Sequence, residues 1–346
     1  MRSQRSLSTY WRTLALLIVI IFITTINTNA QQPTLLALDQ TINIALSCLQ
    51  KGDTPKYIYE IEGTKGEYIE ILCQQFGADV KMTIANSDGK KVAIVDSYSG
   101  AYGPECWRGI FASEGRYIVQ IDVLSTRGLD ANYILSLPVK RNATLSDRKR
   151  AQAQEFYSRA WHFKNGTQRD MDEAYYLYEQ AATLYREAGD GLGEAQTTAS
   201  TAALGCPTLT KRLKMDLHRS SLDLHRRFHE RNGEAIALHS LGEIYLEDNR
   251  CSLAISCYKE ALKAYREIGD SNGEIVALNS LAMVYCQVNQ PQDALSYLKQ
   301  ALKVCQKNCD NSKEALVMKH IGEIYEEMGQ EVQAAEYYRQ ASALVK

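Results

Sequence analysis

The sequence predicts a multidomain chain: an all-β, jelly-roll-like sandwich followed by an all-α superhelix of helical hairpins. Three observations predict it. Short runs rich in β-branched and aromatic residues fill Thr41 to Leu137, the composition turns helical after Pro138, and the C-terminal half repeats every forty residues. The tetrapeptide Gly242-Glu243-Ile244-Tyr245 returns as Gly322-Glu323-Ile324-Tyr325, two periods later.

At 346 residues there is room for two domains of ordinary size. Hydrophobic residues at 45% and charged residues at 23% exclude a disordered chain and a multi-span membrane protein. A formal charge of -2 offers no bulk attraction to nucleic acid, so none is expected as a partner.

Residues 1–30 are set apart, because Arg2, Arg5 and Arg12 precede the apolar run Leu14 to Ile26 and then Thr28-Asn29-Ala30. That is the layout of a secretory signal peptide, with cleavage expected after Ala30 and export to the periplasm or beyond. An uncleaved anchor is the alternative, and the membrane enters only through this segment. The run is shorter than the roughly 20 apolar residues a span requires. Losing the three arginines takes the charge from -2 to -5.

Export gives meaning to Cys48, Cys73, Cys106, Cys206, Cys251, Cys257, Cys286, Cys305 and Cys309. The count is odd and no CxxC pair occurs, so no metal site is expected and most read as buried thiols. Some of the first three are candidates for pairing. Cys305 and Cys309 sit one turn apart with only Lys303 and Lys307 near them, too little to activate a thiolate.

In the N-terminal half the strands are expected at Tyr57 to Ile61, Tyr68 to Leu72, Asp79 to Ile84, Lys91 to Val95 and Arg116 to Ile121. Turn signals separate them at Gly52-Asp53, Gly63 to Gly66, Ser87-Asp88-Gly89, Gly103-Pro104 and Glu114-Gly115. This spacing points to an antiparallel sandwich of about eight strands.

The strand Asp79-Val80-x-Met82-x-Ile84, the hairpin Asn86 to Gly89 and the strand Gly115-Arg116-Tyr117-x-Val119 resemble the bacterial pre-peptidase C-terminal domain. The resemblance covers residues 35–139 and implies an accessory module for binding or targeting. Asp79, Asn86 and Asp88 read either as a calcium loop or as a hairpin turn, and the turn is favoured because an EF-hand spacing is absent. Residues 140–146 are expected to be a linker.

From about Gly189 the chain aligns with itself without gaps. Gly193, Gly233, Gly273 and Lys313 share one column; Leu241, Leu281 and Ile321 another; Tyr245, Tyr285 and Tyr325 a third; Ala254, Ala294 and Ala334 a fourth. The order Leu-Gly-x-x-Tyr, Ala, Tyr, Ala within each unit resembles the tetratricopeptide repeat (TPR), extended by six residues. Clean repeats are expected at 235–268, 275–308 and 315–346, and divergent helix pairs at 147–190 and 193–231. In the second pair Gly205 replaces Tyr, Lys214 replaces Ala and Pro207 interrupts the turn, so an irregular repeat is expected there.

Signal, sandwich and repeats in this order are similar to exported bacterial proteins that often continue into a caspase-like CHAT peptidase domain. The chain ends at Lys346, so the resemblance implies a member lacking that domain or a shortened product. P-loop, GxSxG, HExxH and dinucleotide motifs do not occur, and neither an enzyme nor a cofactor is expected.

With Leu238, Leu241 and Tyr245 turned into the core, the groove-facing candidates are His239 and Glu243, Asn279 and Met283, Lys319 and Glu323. The context Leu278-Asn279-Ser280-Leu281-Ala282 resembles kinesin-light-chain-type repeats, which implies that the Asn279 amide holds a peptide backbone. His225 and His229, one turn apart, read as a surface stripe rather than a metal pair. Lys211, Arg212, Lys214, Arg219, Arg226, Arg227 and Arg231 form a basic patch, read as a solvated convex face or a site for an anionic partner.

The leading expectation is a non-catalytic exported adaptor that binds a peptide or protein partner. Its rivals are a sandwich that recognises glycan or calcium with the helices as spacer, and a regulator of a separately encoded caspase-like peptidase. Ala334, Ala335, Tyr338, Ala341 and Leu344 line one side of an uncapped last helix, where self-association is expected.

Overall fold

The computed structural model describes residues 33–46, 55–95, 102–126, 131–164, 166–206, 208–308 and 310–344. The signal segment with Ala30, the turn Gly52-Asp53, and Cys48, Pro207 and Cys309 lie outside them. Nine strands are present among the described residues: β1 (Thr34–Leu35), β2 (Thr41–Ala45), β3 (Lys56–Gly63), β4 (Glu67–Phe76), β5 (Ala78–Asn86), β6 (Lys91–Val95), β7 (Tyr102–Ile110), β8 (Gly115–Thr126) and β9 (Asn132–Asn142). They form a five-stranded sheet in the order β1-β3-β8-β5-β6 and a four-stranded sheet in the order β2-β9-β4-β7.

Alternation explains the layers. In β5, Ala78, Val80, Met82 and Ile84 are fully buried while the residues between them are half-exposed. Tyr59 of β3 and Tyr133 of β9 meet hydroxyl to hydroxyl at 3.0 Å, a polar bond between the sheets inside an apolar core. The β5–β6 hairpin turns on Gly89 at φ +75°, with Asn86 Oδ1 accepting from the Lys90 amide at 2.8 Å. Asp79 stands at the far end of β5, about 23 Å from Asn86 at strand rise, so Asp79 and Asp88 do not share a loop.

Three readings of the N-terminal half are corrected. Gly103-Pro104 is not a turn; it lies within β7, opposite Gln75 and Gln74. Because β7 is the edge of its sheet, a proline without an amide hydrogen is tolerated there. Cys73 and Cys106 are free thiols. Cys73 pairs across the ladder with Glu105 and Cys106 with Leu72, so the two cysteines are one register step apart and face opposite sides of the sheet. The expected 140–146 linker is strand as far as Asn142, and helix begins at Leu145.

That junction is clamped. Asp147, fully buried, is bound by Arg141 through both guanidinium ends, by Arg150 at 3.0 Å and by the Thr144 amide at 2.9 Å, closing a capping box on the first helix. Burial would raise the Asp147 carboxyl, but the hydrogen bonds from Thr144 and the charge of Arg141 hold it below the usual range.

Among the described residues ten helices follow as five antiparallel pairs: α1 (Leu145–Phe163) and α2 (Gln168–Glu187), α3 (Gly191–Ala202) and α4 (Lys211–Arg227), α5 (Arg231–Glu247) and α6 (Cys251–Ile268), α7 (Ser271–Gln287) and α8 (Pro291–Lys307), α9 (Asn311–Glu327) and α10 (Glu331–Leu344). Odd-numbered helices are the A helices and even-numbered ones the B helices. The period is written into the caps. Asp190, Glu230, Asp270 and Asp310 each accept from amides in the first turn of an A helix. Asn249, Asn289 and Gly329 each take positive φ after an A helix. The second pair is irregular as expected: α3 stops at Ala202 and helix resumes only at Lys211.

Packing between helices is keyed by size. A Cβ on Gly193 would stand 2.6 Å from the Tyr185 ring, on Gly233 2.2 Å from His225, and on Gly273 2.2 Å from Tyr265. In the fourth copy the glycine is Lys313 and the ring opposite it is Cys305. Within a repeat, a Cβ on Gly242 would stand 2.5 Å from Tyr258 and on Gly322 2.6 Å from Tyr338, whereas the middle repeat pairs Ala282 with Leu298. Wherever the small residue grows, its partner shrinks.

Candidate interaction face on the A helices

The A helices bury Leu238, Leu241 and Tyr245, then Leu278 and Leu281, then Met318 and Ile321. Helical spacing leaves the opposite side of α5, α7 and α9 facing out. On it, Met283 is 63% exposed, while Glu243, Lys319 and Glu323 are exposed and charged. Lys319 Nζ lies 3.7 Å from Glu323 Oε1, one turn away.

His239 and Asn279 behave differently from the other expected groove residues. His239 is half-buried, bonded through Nε2 to Ser280 Oγ of the next A helix at 3.1 Å and set against the Tyr258 ring at 5.2 Å. Burial pushes its imidazole down to about 4, so it is neutral near pH 7 and its 3.8 Å approach to Glu243 is not an ion pair. Partial burial and the charge of Glu247 raise the Glu243 carboxyl. Asn279 is half-buried, and its Oδ1 is enclosed without a hydrogen-bond partner.

A second column of this face was missed by the sequence reading. Ile236 is half-buried, Val276 is 47% exposed and Leu316 is 49% exposed, at equivalent positions of successive A helices. Three aliphatics kept at one solvent-facing position form a ridge that core packing does not explain. Its signal was available, since the column lies three residues before His239, Asn279 and Lys319. Towards the C-terminal ends of the helices the face turns acidic, with Glu243, Glu247, Glu323 and Glu327, and the aligned helix dipoles add partial negative charge there. Lys211 takes up part of this charge through Glu247 at 3.2 Å.

Two other candidates are corrected. His225 is 2% exposed and is no surface residue; it fills the core position that Tyr185 and Tyr265 fill in neighbouring repeats. His229 lies past the end of α4 at φ +55°, so the two rings share no helix face. Residues of the basic patch are paired with carboxylates, Arg226 with Glu234 and Glu260, Arg231 with Glu234 and Glu267 and Lys211 with Asp248, while Arg219 donates to the Tyr245 hydroxyl at 2.8 Å. Among the described residues no group of three His, Cys, Asp or Glu side chains is placed to hold a metal, and no helix is long and apolar enough to cross a membrane.

The family model described as tetratricopeptide repeat matches residues 216–267 and 273–346. No curated protein matches the chain. Among solved structures, the nearly identical TPR-like repeats of a Podosopora anserina protein that carries the kinesin light chain name are 15% identical, over 58% of this chain and 96% of that one, with a TM-score of 0.46. A Rap protein complexed with competence and sporulation factor is 13% identical over 56% of this chain and 55% of that one, at 0.43. MamA from Desulfovibrio magneticus RS-1 is 16% identical over 56% and 94%, at 0.43.

Proposed function

We propose, for a chain whose residues 216–267 and 273–346 carry tetratricopeptide repeats, that it is a non-catalytic, exported scaffold holding a peptide or protein segment against its A helices. One observation carries the reading: the ridge of half-buried Ile236 and exposed Val276 and Leu316, with Met283 beside it, leaves aliphatic side chains open to solvent at fixed repeat positions. Bordered by Glu243, Glu323 and Glu327, this face suits a segment that alternates apolar and basic residues. Asn279 contributes an amide with an unpartnered oxygen, which a swing of the side chain would present to a peptide backbone. Export is supported by the arginines, apolar run and small residues of 1–30.

The test is selection of a random peptide display library on the protein and on a Val276→Ser, Met283→Ser, Leu316→Ser variant. The parent is expected to enrich apolar-basic sequences and the variant to lose them. Equal enrichment on both would sink the reading.

A further inference from the structure

The two sheets end, on one side of the sandwich, in the edge strands β6 and β7. Helix α1 lies over the gap between them and does not fill it. A cleft of about 680 Å³ remains, lined by Lys91 to Ile94, Trp107 to Ile110 and one face of α1. That volume falls among small-molecule sites, which favour domain boundaries.

Its floor is apolar and shaped. A Cβ on Gly109 would stand 2.2 Å from the Trp107 ring, so the glycine lets the indole lie flat along its own strand. Val92 is 48% exposed on the cleft wall, with Ile94 and Ile110 half-buried beside it. The charges are uneven: Lys91 and Arg159 stand at the rim against Glu155, with the His162 ring beside them. Arg108 also lines the cleft, but Asp190 engages it. Arg159 lies over the Phe156 ring at 5.9 Å, and His162 Nδ1 is tied to the Ser158 carbonyl at 2.7 Å.

An extended peptide adding to β6 is disfavoured, because the pairing with β5 shifts between Ala93 and Lys91 and a lysine stands on the edge. A bulge and an edge lysine are devices that block strand addition. We propose that the cleft binds a small amphiphilic carboxylate, its apolar body on Val92, Ile94, Trp107 and Ile110 and its charge toward Lys91 and Arg159.

The test is calorimetric titration of the full chain with decanoate and with decanol, alongside Trp107 emission in a Trp11→Phe, Trp161→Phe background. Saturable one-site binding of decanoate is expected, about tenfold or more tighter than decanol. A Lys91→Glu, Arg159→Glu variant, altered only at exposed positions, is expected to keep the parent melting temperature and lose about tenfold or more in decanoate affinity. Absence of saturable decanoate binding, equal affinity for decanol, or unchanged affinity in the variant would each overturn the proposal. So would uptake of an acidic pentapeptide in place of decanoate, the mark of strand addition.

Discussion

Arg108 of β7 places its Nε 3.0 Å from Oδ2 of Asp190, the residue whose Oδ1 caps the first turn of α3. Both side chains are about nine-tenths buried, and Tyr185 lies 5.7 Å below the guanidinium. The sandwich therefore holds the repeat array through a cap that the array already needs. The contact is close but off the hydrogen-bond line, so attraction between the charges dominates it.

Removing Arg108 alone leaves Asp190 buried without its counter-charge. Arg108→Met is expected to destabilise by about 3–5 kcal/mol. In Arg108→Met with Asp190→Asn the loss should fall short of the sum of the single losses by about 1 kcal/mol or more, since asparagine keeps the cap. Chemical denaturation of the four proteins checks this, and additive losses would remove the pair from the account.

The size-keyed packing predicts a rescue. Gly242→Ala pushes a methyl into the Tyr258 ring and is expected to cost about 1–3 kcal/mol, despite alanine's better helix propensity. Adding Tyr258→Leu recreates the Ala282 and Leu298 pair and is expected to return most of the loss. A double variant no more stable than the single one would refute the pairing.

Acid should weaken the repeats in a defined window. Burial lowers His218 and His239 to about 4 when folded, with the nearby Lys214 charge adding to the effect at His218, against about 6.5 when unfolded. The unfolded chain thus binds more protons below pH 6.5. Stability is full above that pH, falls between 6.5 and about 4, and levels off below, by on the order of 3 kcal/mol for each ring. The urea midpoint is expected to drop from pH 7 to pH 5, and less steeply in His218→Leu; parallel profiles for the two proteins would contradict it.

The exposed ridge separates binding from stability. Val276→Ser and Met283→Ser should shift stability by no more than about 0.5 kcal/mol, because neither residue is in the core. A larger loss in thermal melts would mean that these side chains pack and are not held out for a partner.

What was legible in the sequence was whatever repeats. The forty-residue register located the helix pairs because caps, small residues and aromatics recur for reasons internal to each repeat. His225 was misread because periodicity was applied to its own helix, as an i, i+4 pair, and not to the column that aligns it with Tyr185 and Tyr265. Strand β7 was missed because Gly103-Pro104 signals a turn unless the strand is an edge, and edge position is a property of the assembled sheet. The clamp of Arg141 and Arg150 on Asp147 and the contact of Arg108 with Asp190 join elements with no shared pattern, so nothing local announces them. Of the six expected groove positions, Glu243, Met283, Lys319 and Glu323 are exposed and His239 and Asn279 half-buried; the aliphatic ridge was passed over because branched residues on a helix read first as core.

The matched sizes along the array carry a rule for recombination. Tyr265 and Gly273 face each other across an inter-repeat loop, as do Cys305 and Lys313. A crossover placed in those loops, the obvious seam, would set Tyr265 against Lys313 in the hybrid. One placed inside an A helix, between Gly273 and Ala282, would carry each residue away with its own counterpart. The transferable module of this chain therefore starts midway along an A helix, out of phase with the helical hairpins that the eye picks out.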